Sequence, residues 1–384
     1  MKKFTRPLAS RQTTQRLYFL DWLRILAFAV LVLYHVGMYY VSWGFHVKSP
    51  FAGPGLEPWM KLSEPWRMSL LFMISGAATS HLLKSGANLA FVRSRSARLL
   101  LPLLCGVLLI VPPQSYFEVI QKFDYSGSYA DFLRLYYTGY NGFCENGHCL
   151  ILPTWNHLWF LPYLWVYTVT LCIASALWPS IIQTASKHMD KAFHGLGIVL
   201  IPMAWLFFLR LTLFERHPST HALWGDWFNH ALYFTVFLIG AIFATHNTLW
   251  TRLAHWRWPA LGLAIFFWGV LVLIHPIKPL EHAAIAIYQW SALVAAFGFA
   301  KTHLNHDSRL RVRLTKLVFP VYLLHQTVII VLSQLWLPLQ LTPAIEGPMM
   351  VLATFALSYG GYALIRRINL LRPWFGLKTN KRFH

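Results

Sequence analysis

Charge is scarce in this chain. Asp, Glu, Lys and Arg make up 12% of its 384 residues, about half the share carried by a soluble domain. Negative charge is scarcer still, with 13 acidic residues against 33 Lys and Arg. Four cysteines are too few for a disulfide-built scaffold. Internal repeats, low-complexity runs, a Gly-rich nucleotide loop and a standard zinc spacing are all absent from the sequence. These absences exclude a solenoid, a linker protein and a P-loop or dinucleotide enzyme. The net charge of +20 would suit nucleic acid, but the basic residues fall in short segments between apolar runs. Nucleic acid is therefore not the expected partner.

What the chain does have is apolar length. Hydrophobic residues make up 57%, and 18 Trp and 17 Tyr suit the two faces of a bilayer. Runs of about 20 apolar residues fall near 19–40, 65–83, 99–120, 157–178, 195–214, 227–246, 258–275, 282–300, 317–337 and 347–365. The expected fold class is an all-α integral membrane protein of about ten transmembrane helices, forming one polytopic domain over 1–384. With the N-terminus in the cytoplasm, 24 of the 33 Lys and Arg lie on the inner side, including the basic tails 1–18 and 366–384. Ten of the 13 acids lie on the outer side or its edge. Both termini are then cytoplasmic, and 121–156 is the longest outer loop. The basic start followed by an apolar run imitates a signal peptide, but the run is long and contains Asp21 and Arg24. It is expected to remain as the first span.

Cys144 and Cys149 sit in "GFCENGHC" of that outer loop. They suit either a disulfide in an oxidising compartment or, with His148, a metal contact. Cys105 and Cys172 lie within spans and are expected to pack.

Ionisable residues inside spans are costly and mark candidate function. Arg24 and His35 share the first span, 11 residues apart, which puts them on one helix face about 16 Å apart along the axis. The plain alternative has Arg24 reaching the inner surface beside Asp21 while His35 bonds a neighbouring helix. Arg67 stands at the outer end of the second span, before the Ser75–Gly76 step where another helix can approach. Arg93, Arg95 and Arg98 form a basic patch before Pro102, suited to phosphate or simply to the positive-inside bias. His157 opens the fourth span. His325 lies near mid-membrane in the ninth, at a depth similar to His35. The two histidines either flank a shared polar cavity or are separately satisfied.

Together these segments resemble the acyltransferase-3 family of integral membrane acyltransferases over nearly the whole chain. Its Arg-x10-His matches Arg24 and His35, and its Phe-x-x-Ser-Gly segment matches "LFMISG". Its Arg-x-x-Arg-x-x-x-Pro pattern matches Arg95, Arg98 and Pro102, and its late Tyr-x-x-His matches "VYLLHQ". The segments "YFLD", "FHVKS", "WRMSLLFMISG" and "HLWFL" are most similar to the branch associated with succinyl transfer to periplasmic glucans. The resemblance implies a bacterial inner-membrane enzyme. It would move a succinyl or acetyl group from cytoplasmic acyl-CoA, its donor substrate, to a hydroxyl of a periplasmic glycan. It would use no permanently bound cofactor and no metal. His35 would be the general base, with a transient acyl-His35 as a second route. Arg24 would place donor phosphate or steady the leaving group, and Arg93, Arg95 and Arg98 would hold donor phosphates. Arg67, His157 and His325 would bind the acceptor or shape the cavity. A transporter or flippase of a polar substrate is the main rival class, because substrate pathways also need intramembrane charge. The oligomeric state is not legible from these patterns.

Overall fold

In hydrocarbon the backbone has no partner but itself, and every stretch expected to span a membrane is helical. The computed structural model describes residues 17–379 apart from Ser85 and Asn146. Most of the basic tail 1–18 therefore lies outside the described residues, as do Lys381 and Arg382 of the tail 366–384. The helices are α1 Tyr18–Tyr40, α2 Glu57–Lys61, α3 Arg67–Leu83, α4 Leu89–Cys105, α5 Pro112–Phe123, α6 Tyr129–Thr138 and α7 Phe160–Leu177. They continue as α8 Ile181–Ala192, α9 Gly197–Leu209, α10 Trp227–Phe243, α11 Asn247–Leu273, α12 Lys278–His303, α13 Arg309–Trp336 and α14 Pro343–Ile365.

Among the described residues seven helical segments are long and apolar enough to cross a membrane. An eighth crosses if α4 and α5, bent by 43°, count as one span. The bend falls where a π-turn, Gly106–Ile110, meets Pro112, which lacks the amide needed to continue the ladder. The multi-pass character is visible on the outside of the bundle. Ile265, Phe266, Leu352 and Leu357 of α11 and α14 are exposed apolar side chains, a surface suited to lipid.

The other two expected spans, α3 and α10, have 17 residues each, about 25 Å of helix. They pack against each other, and most of α3 is buried. A Cβ on Gly76 would run into the carbonyl of Phe237, and one on Gly240 into the carbonyl of Met73. The two backbones therefore touch where neither helix carries a side chain, which is how small residues join helices in lipid. The Ser75–Gly76 step of the sequence is the seat of α10.

Three corrections concern the polar segments. Arg93, Arg95 and Arg98 stand on the opening turns of α4, not in a loop, because the Asn88 side chain caps the helix by accepting from the Phe91 amide at 3.0 Å. Arg252 and Arg257 likewise lie within α11. The stretch 121–156 holds the end of α5, all of α6 and a two-strand hairpin, β1 Cys144–Glu145 with β2 His148–Cys149. Cys144 and Cys149 face each other in that hairpin and are disulfide-bonded, while Cys105 and Cys172 are free and buried.

The Lys48 ammonium, on the loop after α1, donates to the carbonyls of Met38 at 2.7 Å and Val41 at 2.6 Å. These are end-of-helix carbonyls that would otherwise lack a partner. Burial, and then repulsion from Lys122, push its pKa from 10.5 down to about 8. The folded state thus binds this proton less well than the unfolded chain. Between about pH 8 and 10.5 the unfolded state is the one still protonated, so stability rises with pH across that window. Thermal melts in detergent should show this rise in the wild type and a flatter profile in Lys48→Met. In the same assay Gly76→Val should lose at least about 2 kcal/mol by overpacking. Gly262→Ala on α11, where an added Cβ meets open space, should be neutral or slightly stabilising.

Candidate active site

Two helices far apart in sequence build the site. Asp21 and His35 lie 14 residues apart on α1, and Arg311 and His325 lie 14 apart on α13. Asp21 pairs with Arg311, and His35 with His325. Equal spacing on both helices means that α1 and α13 run parallel and in register. Fourteen residues is four turns at the 3.5-residue repeat that keeps two packed helices facing each other. Arg311 is 1% exposed and also takes Asp307 at 2.7 Å, so one end of the seam is a closed ion cluster.

Four turns along, the hydrogen-bond directions are set by elimination. Nδ1 of His325 lies 2.7 Å from the carbonyl oxygen of Tyr322. A carbonyl only accepts, so Nδ1 carries the proton and Nε2 of neutral His325 has a lone pair. That nitrogen is 2.8 Å from Nδ1 of His35, so the His35 Nδ1–H donates to it. The remaining His35 nitrogen, Nε2, therefore bears a lone pair, and it has no protein partner among the described residues. His35 lines a cavity of about 540 Å³ with Tyr34, Phe45, His46, Arg67 and Arg210. The arrangement holds one imidazole in a single tautomer with its basic nitrogen open.

His157 is placed differently. Its Nε2–H donates to the Leu323 carbonyl at 3.2 Å, and its Nδ1 accepts from Gln114 Nε2 at 3.4 Å. Both ring nitrogens are used. Its ring meets that of His325 edge-on with centroids 5.1 Å apart. Gln114, fully buried, also donates to Thr327 at 2.7 Å and accepts from Asn156 and Gln326, each at 3.1 Å. This amide hub ties α5, α13 and the turn before α7 behind the histidine pair. Among the described residues no three His, Cys, Asp or Glu side chains are grouped to hold a metal.

Arg67 and Arg210 give the cavity its charge. The Arg67 guanidinium lies over the Tyr34 ring, 3.2 Å from its centroid. Its Nε and Nη1 are buried without partners, as is Nε of Arg210. The one hydrogen bond of Arg210 among the described residues, to Gln289 at 3.4 Å, is long. Glu64 and Glu281 also line the cavity, but neither reaches ion-pair distance of either guanidinium among the described residues. Buried guanidinium N–H groups left unpaired are costly.

The structure thus brings His35, His325, His157 and Arg67 together. It leaves Arg24 apart, 3.9 Å from Asp21 and outside the cavity lining. The Arg98 guanidinium bears electrostatically on Arg24, so the start of α4 and the start of α1 share one basic region. Arg93 and Arg98 are exposed there, and Arg95 is half-buried. Sequence reasoning missed the Gln114–Gln326 hub, Arg311 as the partner of Asp21, and His46. A glutamine inside an apolar run is a detectable signal. Arg311 stands between Arg309 and Arg313 in the sequence, and nothing in the order of residues sets it apart.

A helical, multi-pass membrane protein with a tautomer-locked histidine in a basic cavity is the class these observations define. The chain belongs to the acyltransferase-3 family, whose acyltransferase domain matches residues 17–363. Glucans biosynthesis protein C of Escherichia coli O139:H28 (strain E24377A / ETEC) is 28% identical over 252 residues, 62% of this chain. The match spans about 61% of that relative's length. No solved structure matches the chain.

In ¹⁵N spectra of histidine-labelled protein in detergent, neutral His35 should appear as the Nδ1–H tautomer. His325→Ala should move it toward the Nε2–H form. A neutral Nε2–H signal for His35 in the wild type would break the chain of donors deduced above.

Proposed function

We propose that the protein is a bacterial inner-membrane O-acyltransferase of ten spans with both termini in the cytoplasm. It moves an acyl group from cytoplasmic acyl-CoA to a hydroxyl of a periplasmic glucan. The observation that carries this reading is the open lone pair on His35 Nε2, fixed by His325 inside a cavity at the end of the bundle where α1 terminates. The family membership supports the acyl chemistry, and the name of the E. coli relative, a glucans biosynthesis protein, supports the glucan. The Cys144–Cys149 disulfide supports an oxidising compartment on that side.

The chemistry balances with one base. His35 Nε2 takes the proton of the acceptor hydroxyl as its oxygen attacks the thioester carbonyl. The C–S bond breaks as the new ester C–O bond completes, and the proton passes from His35 to the CoA sulfur. His325 turns its lone pair toward the His35 Nδ1–H throughout and so steadies the transient imidazolium. General base catalysis of this kind is worth roughly 10²–10⁴-fold. Arg24, with Arg93, Arg95 and Arg98 nearby, receives the phosphates of the donor at the opposite end of α1. His157 keeps the cavity wall in place through its two hydrogen bonds.

The acyl group in this reading is succinyl rather than acetyl. Arg67 and Arg210 line the cavity of His35 and carry buried guanidinium N–H groups without partners among the described residues, and a distal carboxylate is the complement they lack. Acetyl offers them nothing.

CoA release by the purified protein, from succinyl-CoA and acetyl-CoA with a gluco-oligosaccharide acceptor, tests the reading. Release should favour succinyl-CoA and fall roughly 10²–10⁴-fold in His35→Ala. His325→Ala should cost about 10–100-fold, as loss of an orienting partner does at other histidine sites. Arg67→Gln or Arg210→Gln should erase the preference for succinyl-CoA. Equal release from wild type and His35→Ala would remove His35 from the chemistry. No release from any protein would favour transport.

A further inference from the structure

The cavity contains a second imidazole held in the same way. His46, on the loop after α1, lines it beside Phe45. Its Nδ1 lies 2.5 Å from Oε2 of Glu118 on α5, and the other Glu118 oxygen takes the Lys122 ammonium at 2.6 Å. With Lys122 on one side the carboxyl is ionised and only accepts. Nδ1 of His46 therefore carries a proton, and in the neutral ring Nε2 is a lone pair, without a protein partner among the described residues. The side chain is 19% exposed, so that nitrogen is reachable.

The loop is fixed more firmly than by this one contact. The Lys48 amide donates to the Gln121 side-chain oxygen at 2.6 Å, and Gln121 Nε2 donates back to the Lys48 carbonyl at 3.0 Å. This two-way bond pins the loop to α5 two residues beyond His46. Phe45 is in ring contact with both imidazoles. Its ring is nearly parallel to His35 at 6.4 Å between centroids and lies 5.3 Å from His46. A flat apolar ring flanked by two hydrogen-bond acceptors, both fixed from behind, suits a sugar. The C–H face of a pyranose packs on an aromatic ring, and its hydroxyls donate to the acceptors at either side.

We propose that Phe45 and His46 form the acceptor-sugar subsite. The sugar ring seats on Phe45, and His46 Nε2 accepts from a second hydroxyl while His35 takes the proton of the reacting one. The proposal rests on the acyl-transfer reading above and adds the chemistry of its acceptor, a polyol recognised by at least two hydroxyls. Glu118 is a positioning residue here, since it acts through the ring it holds.

The test separates this role from a clamp that merely seats the loop. His46→Asn keeps an N–H where Nδ1 stood, and so keeps the Glu118 contact, but has nothing at the place of Nε2. His46→Gln puts an amide oxygen near Nε2 and gives up the Glu118 contact. The quantity to measure is transfer to a gluco-oligosaccharide divided by transfer to ethanol, an acceptor with one hydroxyl. The subsite predicts that this ratio falls about tenfold in His46→Asn, the worth of one neutral hydrogen bond. It predicts partial recovery in His46→Gln. Phe45→Leu, which keeps the bulk and loses the flat face, should lower the same ratio and serves if His46→Asn does not fold. An unchanged ratio in the variants would make His46 a clamp and end the proposal. Wild type that transfers to neither acceptor would overturn the acyl-transfer reading itself, and the subsite with it.

Discussion

The structure depends on the seam between α1 and α13. At one end Arg311, almost without solvent contact, is held by Asp21 and Asp307. Removing one partner of a buried ion pair costs about 3–5 kcal/mol, because the charge left behind has no water to turn to. This cluster sets the register of two helices whose residues are separated by 290 positions. Four turns on, the same register puts His35 against His325. A shift of one residue in either helix would turn an imidazole by about 100° and leave its proton without an acceptor. At the far end of α1, Tyr40 donates to Glu346 of α14 at 3.0 Å, which ties the third helix to the same seam.

Polar groups inside this bundle divide into those that are satisfied and those that are not. Gln114 uses both N–H directions and both lone-pair directions on four different side chains, and His157 uses both ring nitrogens. Such groups make the wall behind the cavity and fix one packing of the helices. His35, His46, Arg67 and Arg210 each keep an unused donor or acceptor at the cavity they share. In a medium that penalises unmade hydrogen bonds, four incomplete groups around one space mark where a polar ligand completes them.

Much of the bundle was legible along the chain. Apolar length placed helices in all ten expected runs, and among the described residues seven or eight of these are long and apolar enough to cross a membrane. α3 and α10, at 17 residues each, are shorter than the apolar runs 65–83 and 227–246 from which they are expected. Their close approach at Gly76 and Gly240 is visible only in the structure. Apolar length starts this span only at 99, because three arginines interrupt it, whereas the Asn88 cap begins the helix before them. His35 and His325 were recognised as similar in depth. Their pairing was not legible, because depth is a property of one helix and adjacency a property of two.

By itself the sequence determined the class of protein, the apolar segments that form helices, and which ionisable residues lie within them. Each of these follows from one-dimensional quantities, namely run length, charge placement and spacing on a helix. Tertiary structure alone decided which of those residues meet. It separated Arg24 from His35 although they share a helix face, and joined His35 to a histidine 290 positions away. It also chose the tautomer, because a proton's position on imidazole is set by what the other nitrogen touches. That choice depends on the Tyr322 carbonyl, a backbone atom every residue carries and no sequence pattern marks.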